Sequence, residues 1–356
     1  MRQAFRFLLL MISILFISCS DDDDYQEISS PVNVDLTQVP YPKLSDYQFF
    51  SGALKNQIPS PGVLPFKPTS ELFTDYASKK RFVWMPDGTT ATYSGDENVL
   101  ELPVGSALLK TFYYDQVQPG NTPKIIETRL LIRKQDGWIT ANYIWNDDQT
   151  DAFLDTEGAT VPLTFTRNGV TRSIDYQVPG QSQCAMCHTN NSVLKPIGIK
   201  PQNLNSLYNY GNGSVNQLLK WKQQGYLESV PQVQLSTVDY SDASQDINLR
   251  VRSYLDINCA HCHSDGGATE FLLLRFAYHL TNDIQNMGVC ESALMQPPGI
   301  PHGWVVKPGD ISQSVLHYTM STTASNYKMP RIGRTIVHDE AVEMIEAWIN
   351  QLPECE

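Results

Sequence analysis

Between residues 46 and 180 the apolar positions fall in short runs rich in aromatic, leucine and β-branched side chains. These segments are 99–104, 108–114, 125–133, 138–145 and 161–178. Turn dipeptides separate them: Asp87-Gly88, Pro119-Gly120, Asp136-Gly137 and Asn168-Gly169. Strands punctuated in this way, with no helical pattern between them, predict an antiparallel sandwich or barrel-like domain. After Gly180 the texture changes. Residues 203–210 and 215–224 read as short helices, the second ending near Gly225. A longer one covers 247–255 and runs into a cysteine pair. At 338–352, Ala341, Val342, Ile345, Trp348 and Ile349 share one helical face. The expected class is α+β, with a β-rich, sandwich-like domain (46–180) ahead of a mainly α-helical region. Two units are expected in that region, 181–240 and 241–356.

The first residues set the compartment. Arg2 and Arg6 precede an apolar run from Phe7 to Ile17, too short to span a bilayer comfortably, which ends at Ser18-Cys19. This is the layout of a secretory signal peptide. Phe16-Ile17-Ser18-Cys19 also resembles a lipobox, in which the chain is cut before the cysteine and Cys19 carries lipid. Residues 1–19 are therefore expected to be a signal peptide with its lipidation site, making this an exported, membrane-anchored protein of a Gram-negative envelope. Ser20 followed by four aspartates resembles a surface-export tag, and it also serves as the solvated start of a tether spanning 20–45.

Composition narrows the picture further. The chain is 41% hydrophobic with 17 Tyr, 13 Phe and 6 Trp, enough to fill globular cores. A formal net charge of −12 argues against a nucleic-acid partner and suits a basic protein partner. Of seven cysteines, Cys19 is assigned to lipid and four lie in two paired motifs. The remaining Cys290 and Cys355 are expected to form a disulfide in an exported chain.

The paired motifs are Cys184-Ala-Met-Cys187-His188 and Cys259-Ala-His-Cys262-His263. Two thiols separated by two residues can add across the two vinyl groups of one porphyrin, and the following His then supplies the proximal iron ligand. Two such motifs predict two covalently attached c-type haems, with His188 and His263 on the irons. A four-thiolate zinc site built from Cys184, Cys187, Cys259 and Cys262 is the competing reading, and a redox dithiol is another. A zinc site does not account for a His after each second cysteine, and a dithiol enzyme would usually sit on a thioredoxin-like βαβ framework, which the sequence does not show.

Around the second motif the chain resembles the small class I cytochrome c plan: a helix before Cys259, a downstream Met329-Pro330, and a closing C-terminal helix. Met329 is the expected sixth ligand of that haem, with Met320 the alternative, more naturally a packing residue. The first motif lacks such a partner, because residues 189–258 contain neither Met nor His. Its sixth position is left open to water, to Met85 in Trp84-Met-Pro86, or to His302 in Pro301-His-Gly-Trp304.

Several segments carry a resemblance over nearly the whole chain after the tether. They include Leu72-Phe-Thr-Asp-Tyr-Ala77, Glu127-Thr-Arg-Leu-Leu131, Gln183-Cys-Ala-Met-Cys-His188, Tyr254-Leu-Asp-Ile-Asn-Cys-Ala-His-Cys-His263 and Lys307-Pro-Gly-Asp310. The chain is similar to a family of bacterial envelope proteins described as dihaem c-type cytochromes. That resemblance implies haem binding and electron transfer with other envelope redox proteins, and it names no substrate. Three functional expectations follow. The leading one is an electron carrier; a peroxidase-type enzyme with an open first haem is the second; a surface binding module with a zinc site is the third.

Overall fold

The computed structural model describes residues 29–300 and 302–355. The signal peptide, Cys19 and the acidic run expected from the sequence lie outside the described residues. Among the described residues, no helix is long and apolar enough to cross a membrane.

Eight strands make one antiparallel sheet: β1 (Leu64–Pro65), β2 (Ser78–Trp84), β3 (Ala107–Val117), β4 (Thr122–Lys134), β5 (Gly137–Trp145), β6 (Ala152–Asp155), β7 (Ala159–Arg167) and β8 (Val170–Val178). The order β3-β4-β5-β6 follows the chain through short turns. β2 pairs with β3 along Ala107–Tyr113, and β7 meets β3 beyond it at Val117. The β7–β8 hairpin turns at Asn168 and Gly169, both at positive φ (51° and 78°), as a two-residue hairpin turn requires.

Alternation gives the sheet two different faces. Leu109, Leu130, Ile132, Ala141 and Tyr143 point to one side, into a core closed by residues 32–63. Each such large aliphatic side chain, 1% exposed or less, adds about 1.5–3 kcal/mol over leaving it in water. Their strand neighbours Val83, Leu108 and Leu131 point the other way, toward Ile199, Leu218 and Trp221. The cysteine-bearing part of the chain therefore covers that second face.

Four expectations need correction. The tether is shorter than 20–45, because Val39, Tyr41 and Leu44 are buried in the first core and Tyr47 Oη meets Tyr143 Oη at 2.8 Å. No sandwich of two large sheets forms: the other sheets among the described residues are two-stranded, and irregular chain covers the faces. Residues 99–104 make only an isolated bridge, Thr92 to Glu101, since Pro103 has no N–H to extend a ladder. The region after 180 is not the mainly helical, cytochrome c-like region expected. Strand exceeds helix among the described residues, 27% against 19%.

Among the described residues after 180 there are six α-helices: α1 (Gln181–His188), α2 (Pro201–Leu204), α3 (Gln217–Gln223), α4 (Ile247–Asn258), α5 (Val315–Ser321) and α6 (Asp339–Ile349). Long looped stretches separate them, pinned by turn and side-chain hydrogen bonds. The helix expected over 203–210 is a single turn followed by a hairpin, Leu207–Asn209 with Ser214–Asn216. Gly211 and Gly213 at its tip both take positive φ, which favours a turn over a helix. α6 does pack on α4 through Val251, Leu255, Ile345 and Trp348, and Trp348 Nε1 donates to Asn248 Oδ1 at 3.3 Å. A disulfide joins Cys290 to Cys355 across 65 residues of chain.

Candidate cofactor site

α1 is anchored at its first residue. A Cβ on Gly180 would lie 2.6 Å from the Glu157 carbonyl oxygen, so only glycine lets the chain pass there. Gln183 Oε1 accepts from the Gly180 N–H (3.1 Å) and Thr156 O from the Gln181 N–H (3.0 Å). The helix thereby sets Cys184, Cys187 and His188 on the wall of a cavity of about 320 Å³. His188 Nδ1 lies 2.8 Å from Lys195 O. A carbonyl only accepts, so Nδ1 carries the proton and Nε2 keeps its lone pair. Burial holds the ring's pKa down to about 4, so it is neutral near pH 7. A His oriented through one nitrogen by a carbonyl, with the other free, is the arrangement of a metal ligand.

The second motif follows α4, whose N-cap Asp246 accepts from the Asn248 and Leu249 N–H groups. A turn then closes, with the Cys262 and His263 N–H groups donating to Cys259 O (3.1 and 3.0 Å). Cys259 and His263 line a second cavity of about 790 Å³, and Met329 and Met320 lie on its wall too. Phe271, Leu273 and Leu294 also line it, while leaving 74%, 85% and 77% of their surface open. Exposed apolar groups gathered on one cavity wall mark a surface that an apolar ligand would cover.

The two motifs meet. Donor atoms of Cys187, His261 and Cys262 all lie within 4.8 Å of one another. A hydrogen bond with Cys262 holds the Cys187 thiol down to about 4, and the same contact pushes Cys262 up. The loops behind them are joined by Asn191 N to Gly266 O (2.9 Å) and Asn190 Nδ2 to Asp265 O (2.7 Å). Asn258, Pro330 and Arg331 line both cavities. Cys184 and Cys259 stand outside the three-residue cluster, each on the wall of a different cavity. The four thiols therefore do not gather around one point as a tetrahedral zinc site needs.

The sheet floors the first cavity with a polar row. Register places Arg81 opposite Lys110, Lys110 opposite Arg129, and Arg129 opposite Asn142, and all four line the cavity. Arg81 Nη1 pairs with Glu71 at 2.9 Å. Arg129 pairs with the fully buried Glu127, which also accepts from Tyr176 Oη at 2.7 Å. Burial alone would depress Arg129, and Glu127 overrides it and holds the guanidinium charged. Lys110 has no such carboxylate: its contact is the Phe112 ring, 4.8 Å away. Burial, then the charges of Arg81, Lys79 and Arg129, drive its pKa well down.

The residues present fit a pair of haems. The first cavity combines the pair Cys184 and Cys187, the following His188 and an apolar wall, with cationic groups suited to carboxylate side chains of a porphyrin; the second has Cys259, His263 and an apolar wall, with Cys262 turned toward Cys187. Met329 shares its cavity with His263, whereas neither named partner for the first site reaches that site. Met85 is 1% exposed within the core of Leu64, Phe66 and Trp221. His302 is exposed, and it lines neither cavity. Sequence reasoning missed Lys110, Arg129 and the closeness of His261 to Cys187. A charged residue between Leu108 and Phe112 on one strand face was the available signal. No family model, no curated protein and no solved structure matches the chain.

Proposed function

We propose that the chain is an exported, lipid-anchored two-haem c-type cytochrome that carries electrons between redox proteins of the cell envelope. The observation that carries this reading is the distribution of the thiols. Cys184, Cys187 and His188 line one cavity and Cys259 and His263 line another, while Cys187 and Cys262 lie within 4.8 Å of each other at the seam between them. Bound there, each haem would supply a one-electron couple. The chain's part is to hold and orient. Cys184 and Cys187 anchor one ring, Cys259 and Cys262 the other, and the Cys187–Cys262 contact brings the two attachment edges together. His188 presents Nε2 because Lys195 O engages Nδ1. Met329, on the cavity wall with His263, would raise the second site's potential by His/Met ligation. The acidic chain suits basic partners, and the lipid on Cys19 would keep it at the membrane.

The test is covalent haem per chain, by pyridine haemochrome, after expression in a host with haem-attachment machinery. Two haems per chain are expected. None, with bound zinc found by metal analysis, would overturn the reading.

A further inference from the structure

We infer that Lys110 Nζ is the sixth ligand of the iron held by His188. The inference rests on the reading of the first cavity as a haem site and adds the residue which completes that site.

The argument is one of donor chemistry. A sixth ligand must lie on the wall shared with His188 and must own a lone pair that is not already committed. Among the described residues of that wall there is no Met, and the sole His besides His188 is His261. His261 Nδ1 has no hydrogen-bond partner among the described residues, but its ring is held against Cys187 Sγ, at the edge where that thiol would join the porphyrin, away from the face over the iron. Guanidinium groups stay protonated and offer no lone pair, which removes every arginine there. Lys328 Nζ donates to Arg334 O at 2.6 Å, and Asn142 Nδ2 donates to Pro179 O at 3.2 Å. Gln183 Oε1 is taken by the Gly180 N–H. Lys110 remains, with neither a hydrogen bond nor an ion pair among the described residues.

Its placement is also costly unless it has a purpose. Cross-strand neighbours of like charge destabilise a sheet. Lys110 stands between Arg81 and Arg129 in the row, and Glu71 and Glu127 pair with those two guanidinium groups, leaving Lys110 without a carboxylate of its own. Coordination relieves this. Lys110 Nζ would give its lone pair to the iron and its proton to solvent, removing the ammonium charge from between two guanidinium groups. A six-coordinate first site also favours a carrier over a peroxidase, because no position stays open for peroxide.

The test uses the full chain with haem attached, comparing wild type with K110L and K110R. Haem per chain is counted first; fewer than two in the wild type would refute the haem reading itself. With two attached, the ferric wild type is expected to be low-spin throughout by electron paramagnetic resonance. Both variants should convert half of the haem to high-spin and gain cyanide binding. K110R separates ligation from charge: it keeps a cation but cannot coordinate. A K110R protein as low-spin as wild type overturns the inference, as does a wild type already half high-spin. If K110L does not fold, K110R alone decides.

Discussion

Replacing Glu127 by Gln leaves the shape of the site intact and removes one charge from beneath Cys184. Glu127 is fully buried, with Arg129 and Tyr176 Oη both donating to its carboxylate. Breaking a buried ion pair by removing one partner costs about 3–5 kcal/mol, because the surviving charge is stranded. Arg129 keeps 26% of its side chain open to the cavity, so solvent screens part of that penalty and about 2–4 kcal/mol is expected. Unfolding entropy of about 2.1 cal/mol/K per residue, over the compact unit of residues 31–356, converts this to a fall in Tm of roughly 3–6 °C. Urea and thermal denaturation of E127Q, with the disulfide intact, measure it. The R129Q/E127Q double variant should lose less than the sum of the single changes, since it strands no charge. A loss below about 0.5 kcal/mol for E127Q, within ordinary surface effects, would refute the claim that this pair is a buried, mutually dependent unit.

Three further outcomes are expected. Breaking the Cys290–Cys355 link by C290A/C355A frees a 65-residue loop and should cost up to about 4 kcal/mol by chain entropy, read as a matching fall in denaturation midpoint. Burial would raise the Glu71 pKa, but Arg81, Lys67 and Lys79 override it and hold it down at about 2. Ionised Glu71 therefore adds stability that is complete above its unfolded value, about 4.3, and is lost as pH falls through about 2. E71Q should accordingly flatten the acid limb of a stability–pH curve; an unchanged limb would count against the network. Asp75 Oδ1 accepts from the Thr335 and Ile336 N–H groups at 2.7 and 3.0 Å. D75A should cost about 2–4 kcal/mol by leaving these donors unmet and speed hydrogen exchange at both amides.

What could be read in the sequence followed local chemistry. Turn dipeptides separated the strands from 107 to 178, and the amphipathic spacing of 339–349 marked the closing helix. Residues 31–45 escaped because their acidic and proline residues outweighed Val32, Val34 and Leu36, which pack on the first core. At 203–210 the sequence suggested a helix, and the positive-φ glycines Gly211 and Gly213 settled a hairpin over 207–216 instead. The mainly helical class failed for a related reason: short amphipathic runs were read as the texture of the whole region, whereas looped chain fills most of it. The cysteine motifs were plain from spacing alone. The row through Arg81, Lys110 and Arg129 was not, because it depends on strand register, a non-local property of three separate segments.

The contact between Cys187 and Cys262 has a bearing on the order of assembly. In the closed chain each of these sulfurs has the other motif as its neighbour, and Asn191 packs so tightly on Gly266 that a Cβ there would lie 2.3 Å from its Oδ1. A ligase that must reach both thiols of a motif works best before this seam shuts, while the chain is still open and reduced. Should folding run ahead, the two sulfurs are left side by side, and in the exported setting proposed above they would be placed to be lost to cross-linking. On the proposed two-haem reading, maturation would be a race between loading and closure, and the seam would act as a latch that holds the finished arrangement once both halves are filled.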